Sequence, residues 1–285
     1  MPSAVVSFNA YYDMKTYFNT KTFDALIEQH GFEITAEPEQ ATLAVLGAKT
    51  INWSQFSNLK AVYRFGVGDE NVDYAYLKAY AIPVYFPSDR AKEILFDSTA
   101  NFTVYGIFHL VYAGAFGNVD TWTKGQYAHI RNKVALVIGL GHVGKRVAEK
   151  LAPFMSVTTY DVLYNKPEEL EPLLRAADVI TIHVPLLPQT KNLFNKETLT
   201  WVKNDAILIN TARGDLYDEE ALYEKLSNTN CRAFFDVFWK EPYEGKLKTL
   251  GKEKFFMTPH SASNTLAYIE AGFQDILAIA KKYAI

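Results

Sequence analysis

The stretch VALVIGLGHVGKRVAEKL, from Val134 to Leu151, decides how this chain is to be read. Val134–Ile138 is an unbroken apolar run, as expected of a strand buried on both faces of a parallel sheet. Gly139, Gly141 and Gly144 follow at once, and a helical pattern opens among them. Such glycine spacing is common by itself; a strand before it and a helix after it give it meaning. The first glycine permits a tight turn, the second lets a pyrophosphate approach the backbone, and the third packs the helix on the strand. Free N–H groups and the helix dipole then attract the phosphates. Asp161 ends the next apolar run, VTTYD, at roughly the twenty-residue distance where a carboxylate accepts ribose hydroxyls. The same carboxylate repels the additional phosphate of NADP. The motif therefore predicts a dinucleotide site that prefers NAD.

Working outward, further strands are predicted at DVITIHV, AILIN, RAFFDVF and FFMTPH, and a closing amphipathic helix at NTLAYIEAGFQDILAIAKKYA. On the N-terminal side, AVVSF, ATLAVLG, LKAVYRFG and PVYF read as strands, with helices at TFDALIEQHG and VDYAYLKAYAI. A long apolar helical pattern from about Ser98 to Phe116 joins the two sets. Strands alternating with helices imply parallel sheets, so the chain reads as two α/β units.

Gross composition narrows the classes. A chain of 285 residues suits two domains, and a net charge of −3 offers no surface for a nucleic-acid backbone or an anionic membrane. No apolar stretch reaches bilayer length and no secretory leader opens the chain, so a cytoplasmic, globular protein is expected. Cys231 is the single cysteine, which excludes a disulfide framework and a cysteine-rich metal site. No metal is expected.

Four more motifs follow in order: HVPLLPQT from His183, INTARGDL from Ile209, FDVFWKEP from Phe235 and TPHSAS from Thr258. Together with GLGHVG they closely resemble the D-isomer-specific 2-hydroxyacid dehydrogenases, which are NAD(P)-dependent. In the first unit the resemblance rests mainly on RFGVGDENVD, Arg64 to Asp73. It implies a flavodoxin-like substrate domain (residues 1–97 with 260–285) and an inserted Rossmann domain (98–259), with a cleft between. Carried over residue by residue, the catalytic arginine, glutamate and histidine fall on Arg213, Glu241 and His260. Nucleotide contacts fall on Gly139, Gly141, His142, Val143, Gly144, Asp161, Val184, Pro185, Thr211, Ala212 and Asp236. The amides of Val67 and Gly68 correspond to those that hold substrate carboxylate. The sequence departs from the family in two places. Only seventeen positions separate Asp161 from Asp178, which implies a strand or helix pared away near Lys166–Glu171. The segment after Phe86 is long, and Ala100-Asn101 stands where the family has Val-Ala-Glu.

The chemistry follows from residue types. By type alone, Arg213 after a buried strand is a surface arginine opening a loop; beside the other motifs it has a ligand to serve. Its planar fork of donors fits a carboxylate and can polarise the adjacent carbonyl. By type alone, Glu241 before a proline marks a turn, and His260 after one is structural. The resemblance makes them a proton relay, His260 exchanging a proton with the substrate oxygen and Glu241 orienting it. Gly214 is expected to leave room for the nicotinamide. Arg90, Lys49 and Arg64 could serve a second acidic group, solvated surface charge being the plainer role. The expected partner is a small 2-oxo or 2-hydroxy acid. A homodimer is expected from the resemblance, with Trp122 and Tyr127 of GNVDTWTKGQYAHI at its interface. The alternative is an NAD-sensing, corepressor-like binding protein of the same fold; formate or phosphite oxidation fits the His-Glu pair less well.

Overall fold

Two parallel sheets carry the chain, each with helices packed on it. The computed structural model describes residues 8–12, 32–47, 50–127 and 129–283. The chain divides into two compact units, Met1–Leu95 with Asn264–Ile285, and Phe96–Ser263. His260, expected at the start of the returning segment, thus lies in the second unit.

In the first unit, β1 (Phe8–Tyr12), β2 (Phe32–Thr35), β3 (Leu43–Leu46), β4 (Ala61–Arg64) and β5 (Val84–Tyr85) form a parallel sheet in the order β2-β1-β3-β4-β5. That is the flavodoxin-like order. β1 begins where AVVSF was expected to end; residues 4–7 and the expected helix TFDALIEQHG lie outside the described residues. Every residue of β3 and β4 is buried, as two-sided burial requires. Ala44, Leu46 and Val62 pack with Trp53, Phe56 and Leu77, the last on helix α1 (Tyr74–Ala79).

Helix α2 spans Asp89–Val111, and the division between the units falls within it. It begins well before the expected Ser98 and gives way to a 3-10 turn over Ala113–Phe116. The reason is local: Ser88 Oγ accepts from Ala91 N at 3.3 Å, capping a polar first turn that lacks apolar periodicity. Apolar spacing shows where a helix is covered, not where it starts.

The second unit holds β6 (Val134–Ile138), α3 (His142–Leu151), β7 (Ser156–Tyr160), α4 (Leu170–Ala176), β8 (Val179–Ile182), α5 (Thr198–Trp201), β9 (Ile207–Asn210), α6 (Glu219–Asn228), β10 (Arg232–Phe235) and β11 (Phe255–Met257). Helix α7 (Leu266–Tyr283) returns to the first unit. The second sheet is parallel throughout, ordered β11-β10-β9-β8-β6-β7. The usual dinucleotide-domain order, 3-2-1-4-5-6, places a further strand outside the second one. Here β7 is the edge, and the short span from Asp161 to Asp178 holds only a 3-10 turn and α4, the site of the expected paring. Alternate residues of the strands face opposite cores. Leu136, Ile138, Ile180, Ile182, Leu208 and Phe235 join Leu174, Leu222 and Leu226. Ala135, Val137, Val179, Ile207, Ile209 and Phe234 join Ile107 and Leu110 of α2 and Val147 and Leu151 of α3. Among the described residues no helix is long and apolar enough to cross a membrane.

Candidate active site

β6 lies between β7 and β8, so the chain leaves it in one direction and returns on the other side. Such a switch point opens a crevice beyond the strand ends. The glycine loop sits there. Gly139 has φ of +91°, and a Cβ on it would lie 2.5 Å from the His183 carbonyl oxygen. A Cβ on Gly144 would collide with the Gly139 carbonyl, whereas one on Gly141 would meet nothing within 4 Å. The first and third glycines thus answer to packing, and the open second one leaves room for a close-lying ligand. Asp161 ties the loop down: Oδ2 accepts from Leu140 N at 2.7 Å and Oδ1 from Leu163 N at 2.9 Å.

The first amides of α3, those of His142 and Val143, lie ahead of the intrahelical hydrogen-bond ladder. The His142 ring stacks flat on Phe96, with centroids 4.5 Å apart. Behind the loop, burial pushes His183 down to about 3, so its imidazole stays neutral. Val184 and Pro185 follow β8, half-buried and exposed respectively. Thr211, after β9, is buried and shares a 2.8 Å hydroxyl hydrogen bond with Thr103 of α2. These groups fit the phosphates, ribose and amide of a dinucleotide.

On the other half of the sheet, β9, β10 and β11 lie side by side, and Arg213, Asp236, Glu241 and His260 follow their ends. Neighbouring strands are about 4.8 Å apart, so the ends of β9 and β11 lie within roughly 10 Å. After β9, the buried Asn210 wraps the turn, its Nδ2 donating to the Arg213 carbonyl (2.8 Å) and its Oδ1 accepting from Ala212 N (3.0 Å). Arg213 is half-buried, and its Nη1 donates to the Ala212 carbonyl at 2.7 Å. Gly214 needs a different explanation from the expected one. A Cβ there would meet backbone atoms of Phe238 and Trp239 at 2.2 and 2.4 Å. Glycine is required so that the turn after β9 can pack on the one after β10.

After β10, Asp236 is fully buried. Its carboxylate accepts from Thr258 Oγ1 (2.5 Å), Ser261 N (2.7 Å) and Ala262 N (2.8 Å). Burial pushes this carboxyl up, and those three donors and the nearby His260 oppose the rise. Its main-chain carbonyl accepts from His260 N at 2.8 Å. Asp236 is thereby engaged in shaping the turn that carries His260, which holds a φ of +54°. His260 Nδ1 lies 2.9 Å from Glu241 Oε2 and 3.2 Å from Oε1. Glu241 Oε1 also accepts from Phe238 N at 3.1 Å, and the Glu241–Pro242 peptide is cis. A carboxylate on Nδ1 makes that nitrogen the donor and leaves Nε2 as the ring's other polar atom. Nε2 has no partner among the described residues.

Val67 and Gly68 lie in the first unit, just past β4. Val67 is 45% exposed, and the N–H groups of both make no hydrogen bond with any described residue. Arg64 is not a solvated surface charge: it is 5% exposed. Arg90 is exposed, and Lys49 lies outside the described residues. Sequence reasoning missed the clamps Asn210, Thr103 and Thr258. Asn210 alone left a signal, a polar side chain ending an apolar strand.

A parallel, doubly wound sheet with a glycine-loop crevice at its switch point defines a dinucleotide-binding domain. Residues 110–262 match the model of the D-isomer specific 2-hydroxyacid dehydrogenase NAD binding domain. The chain belongs to that family. It is similar to the glycerate dehydrogenase of Methylorubrum extorquens, 32% identical over 259 residues, covering 85% of this chain and 79% of that protein. It is also 32% identical over 222 residues to the D-3-phosphoglycerate dehydrogenase of Methanocaldococcus jannaschii, 73% of this chain but 42% of that longer protein. The chain therefore spans less than half the length of that relative. In fold it resembles the D-lactate dehydrogenase of Aquifex aeolicus, solved with NAD and lactic acid. The TM-score is 0.76 and the identity 23%, covering 96% of this chain and 95% of that one. NAD is the cofactor of the domain.

Proposed function

We propose that this protein catalyses reversible hydride transfer between NAD(H) and C2 of a small 2-oxo acid, giving the D-2-hydroxy acid. The observation that carries the reading is the His260–Glu241 pair, 2.9 Å apart, with Nε2 unengaged among the described residues. When bound, NAD(H) supplies or accepts the hydride. In reduction, protonated His260 gives its Nε2 proton to the carbonyl oxygen; in oxidation it takes the proton back. Glu241 holds the ring in orientation through Nδ1. Arg213 takes the substrate carboxylate through its fork of donors, and the amides of Val67 and Gly68 supply further donors to it. The first unit serves as the substrate domain and Phe96–Ser263 as the NAD domain, in a cytoplasmic enzyme.

The test is NADH consumption against a panel of glyoxylate, pyruvate, hydroxypyruvate and bulkier 2-oxo acids. Turnover with one or more supports the reading; tight NADH binding with no turnover favours the sensing alternative. In the same assay NADH is expected to outperform NADPH, by ~1–3 kcal/mol in kcat/KM, because Asp161 meets the 2′-phosphate. Equal kcat/KM for the two cofactors would remove Asp161 from that role.

A homodimer is proposed through the segment after α2. Asn118 and Thr123 form a small bridged turn there that presents Trp122 (85% exposed), and Tyr127 is exposed close by. Val119 of the same turn is also exposed, and clustered exposed apolar residues of this kind mark interaction surfaces. Light scattering at micromolar concentration is expected to give twice the mass of one chain. A single-chain mass would count against the interface.

A further inference from the structure

Arg64 ends β4 with its charged side chain inside the first unit. Nη1 donates to the carbonyls of Phe65 (2.8 Å) and Leu46 (3.5 Å), and Nε to Asn71 Oδ1 (3.2 Å). Asn71, itself buried, passes its Nδ2 hydrogen to the Gly47 carbonyl at 3.0 Å. Gly66 has φ of +144°, and a Cβ on it would lie 2.7 Å from Nη1. Phe65 is anchored in turn, its ring edge-on to Tyr268 at 4.9 Å. The loop from Phe65 to Asn71 is therefore wound around a guanidinium, with the unengaged N–H groups of Val67 and Gly68 midway along it.

Taking a guanidinium out of water is costly, and a loop can be held by neutral groups instead. A buried charge is felt more strongly than one in solvent, and successive peptide N–H groups already form an anion-binding concavity. Donation into the Phe65 carbonyl also polarises the peptides that follow. We propose that Arg64, braced by Asn71, is a positioning residue that shapes the Val67–Gly68 amide pair into a carboxylate receptor and lends it positive charge from beneath. This rests on the reading that those amides take the substrate carboxylate.

The test uses the full chain saturated with NADH, measuring KM and kcat for the best 2-oxo acid and the dissociation constant of oxamate, a 2-oxo-acid mimic. Arg64→Met keeps the bulk but removes charge and donors; KM and the oxamate constant should both rise roughly tenfold or more. The same variant should change kcat by less than about threefold and leave NADH affinity alone. Arg64→Lys keeps the charge without the fork and should fall between. Asn71→Asp keeps an acceptor for Nε but sets a counter-charge beside the guanidinium, so it should also weaken oxamate; it decides the matter if Arg64→Met does not fold. Arg64→Met and Asn71→Asp proteins within about twofold of the parent in KM and oxamate binding would overturn the proposal, even if less heat-stable. If Arg213→Lys weakens oxamate while these variants do not, this proposal alone fails. If the parent binds NADH but neither binds oxamate nor reduces any 2-oxo acid, the underlying reading fails with it.

Discussion

Replacing His260 with glutamine is expected to lower kcat by roughly two to four decades while NADH binds almost as before. Glutamine can hydrogen-bond to the carbonyl oxygen, but it cannot deliver a proton. On the proposed reading the nucleotide is held at the other half of the sheet, by the loop from Gly139 to Gly144 and by Asp161, so its affinity should not follow. The companion variant Glu241→Gln separates orientation from proton supply. Glu241 carries two jobs in the structure, bonding to Nδ1 and accepting from Phe238 N. A glutamine keeps the shape but replaces the charge-assisted bond to Nδ1 with a weaker neutral one. Reduction by Glu241→Gln should therefore lose about a decade in kcat, with NADH affinity unchanged. Parental kcat in Glu241→Gln would reduce Glu241 to a turn residue, and a His260→Gln enzyme with parental kcat would end the proton-relay mechanism.

Arg213→Lys is expected to cut kcat/KM by one to two decades or more, since a charge-assisted bond in a dry site is worth ~1.5–3 kcal/mol. Lysine keeps the charge but offers a point donor on a flexible stem in place of a planar fork. The loss should be divided, KM for the 2-oxo acid rising and kcat falling, because in the proposed mechanism one group both holds the carboxylate and steadies the developing alkoxide. NADH affinity from fluorescence quenching should barely move. A surface arginine would give a different result, a change within about half a kcal/mol of stability and no kinetic effect. Parental kcat/KM in the lysine variant would remove the substrate anchor from the mechanism.

The nucleotide half of the site was legible in the chain because each of its parts is local. A strand, three glycines and a helix are adjacent in sequence, and their meaning depends on backbone conformation over a dozen residues. Gly139 and Gly144 occupy positions where a Cβ has no place, and Asp161 reaches back to Leu140 across a single strand neighbour. The acid–base half was legible only as residue types at strand ends. What motif reading gave for Gly214, space for a nicotinamide, is in the structure the contact of two turns from separate strands. Asp236 and Arg64 show the same limit. Each is a charged residue just after or at the end of an apolar strand, and nothing nearby in sequence says that its charge is buried against donors or carbonyls from other loops.

The two alternating sets of strands and helices, the glycine loop with its acid, and the family to which the chain belongs all follow from the order of residues. Hydrophobic period, turn residues and helix caps are short-range signals, so they survive without a fold. That β7 is an edge, that β9, β10 and β11 lie side by side, and that Glu241 meets His260 across nineteen positions of chain are visible only in the packed fold. Strand order and the burial of charge depend on partners distant in sequence, which come together only when every strand has packed.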